Sequence, residues 1–123
     1  MAYEHFLSGD PTSFLPLLDG AVTYHLPGQH LGGGTLRGRA ELLDRIQSAA
    51  RACTAPPQIE LTDIMVYEPF VVSFERIRVT RGGATLAQPL CVVWRFENDR
   101  CVEIWAHFAN QSDCDSFWSG LTI

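Results

Sequence analysis

No apolar run in this chain is long enough to span a bilayer, and no basic start followed by an apolar stretch opens it. Neither a membrane anchor nor a secretory leader is therefore expected. Cations are scarce: 9 Lys plus Arg stand against 14 Asp plus Glu, a net charge of -5. That balance repels a phosphate backbone or an anionic membrane surface at long range, so nucleic acid and membrane are not expected partners. The cysteines, Cys53, Cys91, Cys101 and Cys114, include no C-x-x-C pair, and no local His/Cys cluster has metal-ligand spacing. Reduced thiols in a cytoplasmic protein without a structural metal are the expectation. Gly32-Gly33-Gly34 lacks the G-x-x-x-x-G-K-[ST] pattern of a phosphate cradle and reads as a loop permitting positive φ. Repeats, linkers and low-complexity tracts are missing too.

What is present is a core. Apolar residues make up 46% and aromatics 11% of 123 residues, too greasy for disorder. A chain of this length buries roughly two-thirds of its unfolded surface in one core, which predicts a single domain over residues 1–123. A short helix is predicted around Tyr3 to Leu7, and Asp10 and Pro11 then suit a cap and a first helical position. Phe14, Leu15 and Leu18 share a face of a second short helix, which Pro16 limits. Ala21 to Leu26 alternates as a strand, with Val22, Tyr24 and Leu26 on one face and Thr23 and His25 on the other.

After the Gly-rich loop, Arg39 to Cys53 carries Leu42, Leu43, Ile46, Ala49, Ala50 and Cys53 on one helical stripe. Pro56-Pro57 stops that helix, and strands follow at about Glu60 to Tyr67, Phe70 to Thr80, Pro89 to Phe96 and Cys101 to Phe108. Arg81-Gly82-Gly83 and Asn98-Asp99 are the turns. This order predicts an α+β fold with an antiparallel sheet curled around the helix.

A two-residue turn at Asn98-Asp99 pairs Glu97 with Arg100, and an unbroken ladder then sets Trp94 opposite Glu103 and Val92 opposite Trp105. In that register one face carries Val92, Trp94, Phe96, Cys101, Glu103, Trp105 and His107. The other carries Cys91, Val93, Arg95, Val102, Ile104, Ala106 and Phe108. A one-residue bulge would reverse the sorting. Both faces are largely apolar and only one can cover the helix, which predicts a homodimer burying part of the second face.

The segment YHLPGQHLGGGTLRGRAEL, from Tyr24 to Leu42, resembles the aromatic-His-x-Pro-Gly, spacer, Gly, spacer, Gly-Arg pattern of SnoaL-like proteins. These belong to the ketosteroid-isomerase and nuclear-transport-factor-2-like superfamily. EIWAHFANQSDCDSFWS, from Glu103 to Ser119, is similar to the C-terminal segment of the same family. The resemblance implies a cone-shaped curved antiparallel sheet wrapped around a long helix, with short N-terminal helices, an apolar pocket and frequent dimerisation. Asn110 stands where family members often carry an Asp, and an amide does not exchange protons at neutral pH. The superfamily holds isomerases, cyclases, dehydratases and pure binders, so the resemblance specifies the fold more closely than the chemistry.

Against that background, His25 and His107 are the candidate acid-base groups, because histidine exchanges protons near neutral pH. Tyr24 is the candidate to polarise a carbonyl oxygen. Trp94, Trp105, Phe96 and Val92 offer a flat apolar wall for a substrate, although ordinary core serves them equally well. His30 in the Gly-rich loop and Asn110 complete the candidate binding residues. Glu75, Arg76, Arg78 and Arg95 are charges inside strands, and a buried charge is retained when paired or functional. For Glu75 the readings are an ion pair with an arginine across the sheet or a carboxylate base in the pocket. The reading that follows is a cofactor-independent enzyme performing isomerisation, cyclisation or dehydration on a hydrophobic, polyketide-like or carbonyl-bearing small molecule. The alternative is a noncatalytic ligand-binding or dimerisation domain of the same fold.

Overall fold

The computed structural model describes residues 15–27, 34–55 and 57–119. A 3-10 turn at Leu15–Leu17 leads into β1 (Leu18–Leu26), β2 (Gly34–Arg37), α1 (Arg39–Ala52), β3 (Gln58–Tyr67), β4 (Phe70–Arg81), β5 (Ala84–Glu97), β6 (Arg100–Phe108) and α2 (Gln111–Trp118). The helix predicted at Tyr3 to Leu7 lies outside the described residues, and Leu18 begins a strand rather than ending a helix. The strands form one curved, open six-stranded sheet in the order β2-β1-β6-β5-β4-β3. The α+β class stands, but the sheet is mixed: β1 pairs with β6 in parallel, while the other neighbours are antiparallel. A parallel pair needs a long crossover, and everything from β2 to β5 supplies it.

Turn chemistry sets the long hairpins. Asn98 and Asp99 take φ values of 52° and 64°, and Gly82 and Gly83 take 54° and 83°. Positive φ at both central residues matches strand twist in a two-residue hairpin turn, and Asn, Asp and Gly tolerate it best.

The β5–β6 ladder contains the bulge that reverses the predicted sorting. Phe96 pairs with Cys101 and Arg95 with Glu103, leaving Val102 as the extra residue. Beyond it Trp94 faces Ile104, not Glu103, and Val92 faces Ala106, not Trp105. An unbroken ladder would have put the Glu103 carboxylate in the core beside Trp94 and turned Ile104 outward. Burying an unpaired carboxylate costs several kcal/mol, about as much as losing more than one buried aliphatic side chain, so one unpaired ladder position is the smaller cost. Ile104, Ala106 and Phe108 therefore join Val92, Trp94 and Phe96 inside, whereas Glu103, Trp105 and His107 join Cys91, Val93 and Arg95 outside.

The inner face carries the core, in which Leu18, Val22, Leu36, Leu42, Val71, Leu90, Val92, Trp94, Cys101 and Ile104 cluster. Within the α1 stripe Leu42 is 2% exposed, yet Leu43 and Ile46 are each 37% exposed, so the stripe is buried only in part. A second cluster joins Val79 and Leu86 to Cys114, Phe117 and Trp118 of α2, with Ala49, Ala52 and Cys53 packed against it. Helix α2 was not foreseen from the sequence, because its eight residues, QSDCDSFW, are mostly weak helix formers. Its start is capped by Asn110, whose Oδ1 accepts from Asp113 N at 3.0 Å. Its end is held by Arg81, whose Nη2 donates to the Phe117 carbonyl at 2.9 Å.

Candidate functional site

Alternation along β4 puts Val71, Ser73 and Glu75 on the inner face, where Ser73 pairs with Val92 and Glu75 with Leu90. Ser73 is fully buried. Its Oγ accepts from Trp94 Nε1 at 2.9 Å and lies 2.5 Å from Glu75 Oε2. Glu75 has no arginine partner among the described residues, so the cross-sheet ion pair is not formed. Burial pushes the Glu75 carboxyl above its usual range, and the hydrogen bond from Ser73 offsets part of that rise. Tyr24 sits on the same side of the sheet, packed against the core cluster. Burial, then the charge of Glu75, pushes its phenol far up. Tyr24 is therefore a hydrogen-bond donor at any ordinary pH, and Glu75 beside it on this face is a carboxyl whose proton affinity burial raises.

The histidines lie across the sheet from these groups. His25 stands on the outer face, where its Nε2 is 2.7 Å from Glu103 Oε2 and its ring stacks on Trp105 at 5.5 Å and 17°. Arg95 donates to Glu103 Oε1 at 3.1 Å and to Glu97 Oε1 at 2.8 Å. The hydrogen bond from His25, ahead of that from Arg95, holds the Glu103 carboxyl below the usual range. His107 is exposed beside Cys91 on that same surface. The structure thus brings Tyr24, Trp94, Phe96 and Val92 together, and brings His25, Trp105 and His107 together, but separates the two groups by the sheet. Asn110 spends its side-chain oxygen on the α2 cap, and its backbone N–H and carbonyl are both bound by Gln88 at 2.7 and 3.0 Å. His30 lies outside the described residues.

Ser73 is the inner-face residue that the sequence did not single out; a serine amid Val71, Val72 and Phe74 in a central strand was the available signal. Burial raises all four thiols, Cys101 to about 12 and Cys114 to about 11, which leaves no thiolate nucleophile at neutral pH. Among the described residues no three His, Cys, Asp or Glu side chains converge as metal ligands would. No helix among them is long and apolar enough to cross a membrane.

A curved, open six-stranded sheet with two helices is the NTF2-like fold. The chain belongs to the SnoaL-like domain family, whose sequence profile matches residues 1–104. Bal32a, from a soil-derived mobile gene cassette, is similar over 95% of this chain and 90% of its own, with 25% identity and a TM-score of 0.82. An NTF2-like protein of unknown function from Burkholderia pseudomallei shares 24% identity over 97% of this chain and 92% of its own, with a TM-score of 0.78. IdmH, described as a candidate polyketide cyclase from Streptomyces antibioticus, shares 21% identity over 94% of this chain and 91% of its own, with a TM-score of 0.66. No curated protein matches the chain.

Because the His25 side chain emerges opposite Tyr24 and Glu75, any proton transfer carried out at the inner face is expected to change by less than about tenfold in His25→Gln. Steady-state kinetics of the variant check this; a loss of about 10²-fold or more would return the acid-base role to the histidine.

Proposed function

We propose that this protein is a cofactor-independent enzyme that moves a proton on a hydrophobic, carbonyl-bearing small molecule held against the inner face of the sheet. Glu75 carries the reading: it is a carboxylate without a cationic partner among the described residues, kept in apolar surroundings that raise its proton affinity. In the step envisaged, Glu75 takes a proton from the carbon next to the carbonyl, and the C–H electron pair moves into the enolate. Tyr24 donates a hydrogen bond to the developing oxyanion, and the same proton is returned at another carbon or at oxygen. Isomerisation, aldol-type cyclisation and dehydration all share this step. A lysine Schiff base plays no part in this step, because all nine Lys plus Arg residues of the sequence are arginines. Support also comes from the family, and from the likeness of its fold to that of IdmH.

The test is proton exchange. In deuterium oxide, the wild-type protein is expected to exchange the α-hydrogen of a polycyclic or polyketide-like ketone faster than buffer does, read by NMR. A panel of such ketones that bind without exchange and are recovered unchanged would favour the noncatalytic alternative.

The expected homodimer moves with the bulge. Its interface is now proposed on the outer face, through Val72, Phe74, Val93 and Trp105, instead of the Ile104, Ala106 and Phe108 set that the structure turns inward. Phe74 remains 36% exposed in the single chain. Val93→Glu should therefore shift sedimentation from dimer to monomer with the fold intact by circular dichroism; a wild-type monomer at high micromolar concentration would refute the assembly.

A further inference from the structure

The three side chains Trp94, Ser73 and Glu75 form a line whose hydrogens have only one arrangement. An indole N–H donates and never accepts, so Trp94 Nε1 must spend its hydrogen on the Ser73 oxygen, 2.9 Å away. Ser73 is fully buried, and among the described residues the acceptor for its single hydrogen is Glu75 Oε2. If Glu75 were protonated on Oε2, that O–H would point at Ser73, and the serine hydrogen would be left buried with no acceptor. The line therefore runs one way, from Trp94 through Ser73 to Glu75.

The geometry points to Ser73 as a positioning residue: held by Trp94, it always donates to Glu75 Oε2, so that Oε1 is the oxygen that takes and returns the proton. This rests on Glu75 being the base proposed above. Two oxygens that are chemically alike in a free carboxylate become unlike here, one an anchored acceptor and the other the working atom. The anchor also fixes the carboxylate plane, which aims Oε1 in one direction instead of leaving a rotor to find the substrate. Ser73 works against the desolvation that raises the Glu75 carboxyl, so removing it should push that carboxyl further up. The other titratable groups that sense the Glu75 charge, Tyr24 and Cys91, have raised proton affinities and are neutral through the carboxylate range. Across the sheet Glu75 meets Leu61 and Leu90, and Arg76 and Arg78 are exposed.

The experiment follows Glu75 itself, by carbon NMR of protein labelled at the glutamate side-chain carboxyls, with its resonance identified by loss in Glu75→Gln. Ser73→Ala should raise the Glu75 midpoint by about one to two pH units, the size of one hydrogen bond to a charged group. Trp94→Phe should raise it by a few tenths of a unit, because the indole polarises the serine hydroxyl only indirectly. In the Ser73→Ala background the added Trp94→Phe change should have no further effect, since the indole acts through the serine. An unmoved midpoint in Ser73→Ala, or a Trp94→Phe shift that persists without the serine, would overturn the relay. Thermal unfolding of each variant verifies that a folded protein is being titrated, and Trp94→Phe carries the test if Ser73→Ala does not fold. The titration needs no substrate, so its outcome separates from the catalytic reading. Expected shifts without any proton exchange on ketones leave the relay standing and remove the enzyme, whereas exchange without the shifts does the reverse.

Discussion

Glu75→Gln should lower turnover by about 10²-fold to 10⁴-fold, the range for losing a general base, while ligand binding stays within about tenfold. The amide keeps the size of the carboxylate and can still accept from Ser73, but it cannot take a proton. The same variant should be more stable than wild type at pH 8. The Glu75 carboxyl is raised above its value of 4.5, so between the two values the folded chain binds more proton than the unfolded chain. Stability of the wild type therefore falls as pH climbs from about 4.5 through the folded value, and the loss is complete above it. Glutamine does not titrate, so the advantage of the variant should be largest at pH 8 and shrink toward pH 4. Thermal unfolding at the two pH values, beside kinetics, checks both halves. A variant that is less stable at pH 8, or fully active, would remove Glu75 from the role proposed. A gain in stability coupled to a loss of activity is the ordinary signature of a site held in unfavourable surroundings for its chemistry.

Ile104→Ala should destabilise the fold by about 2–5 kcal/mol, lowering the unfolding midpoint by roughly 8–20 °C for a chain of this size. Ile104 is completely buried among Val22, Trp94 and Cys101, where a cavity has nothing to collapse into it without disturbing three strands. Val102, two positions back, is the bulge residue and lies partly exposed, so Val102→Ala should cost less than about 1 kcal/mol. Differential scanning calorimetry of the two variants gives the comparison. Equal losses, or the larger loss at Val102, would mean that the β6 ladder runs unbroken and that Glu103 rather than Ile104 faces the core.

Much of the architecture was legible in residue order. The Asn98-Asp99 and Gly82-Gly83 turns, the existence of four strands after Pro57, and the placing of Tyr24 and His25 on opposite faces of β1 all come from local rules, although β5 begins at Ala84, five residues before the Pro89 start that the sequence suggests. Those rules involve a few neighbouring residues and hold wherever the segment sits. Segments without strong local preference were not visible: β2 has four residues, and α2 depends on the Asn110 cap and on Cys114, Phe117 and Trp118 burying themselves against Val79 and Leu86.

The site divides in the same way. That Glu75 is a charge inside a strand is plain from the sequence, as is the presence of a serine two residues before it. That the two face inward, that Trp94 caps the serine, and that no arginine among the described residues pairs with the carboxylate are consequences of which strands became neighbours. The bulge at Val102 is the sharpest case, since a period of two carries no memory of a skipped residue. Local pattern in Cys101 to Phe108 allows either face to be buried, and the choice falls to the energy of the whole sheet, which excludes the Glu103 carboxylate from the core and admits Ile104. Sequence alone determined the long helix, the long strands and the hairpin turns, because those depend on backbone conformation over a few residues. Tertiary structure alone decided which histidines, tryptophans and carboxylates share a surface, because burial is a property of the assembled sheet and one unpaired residue reverses it.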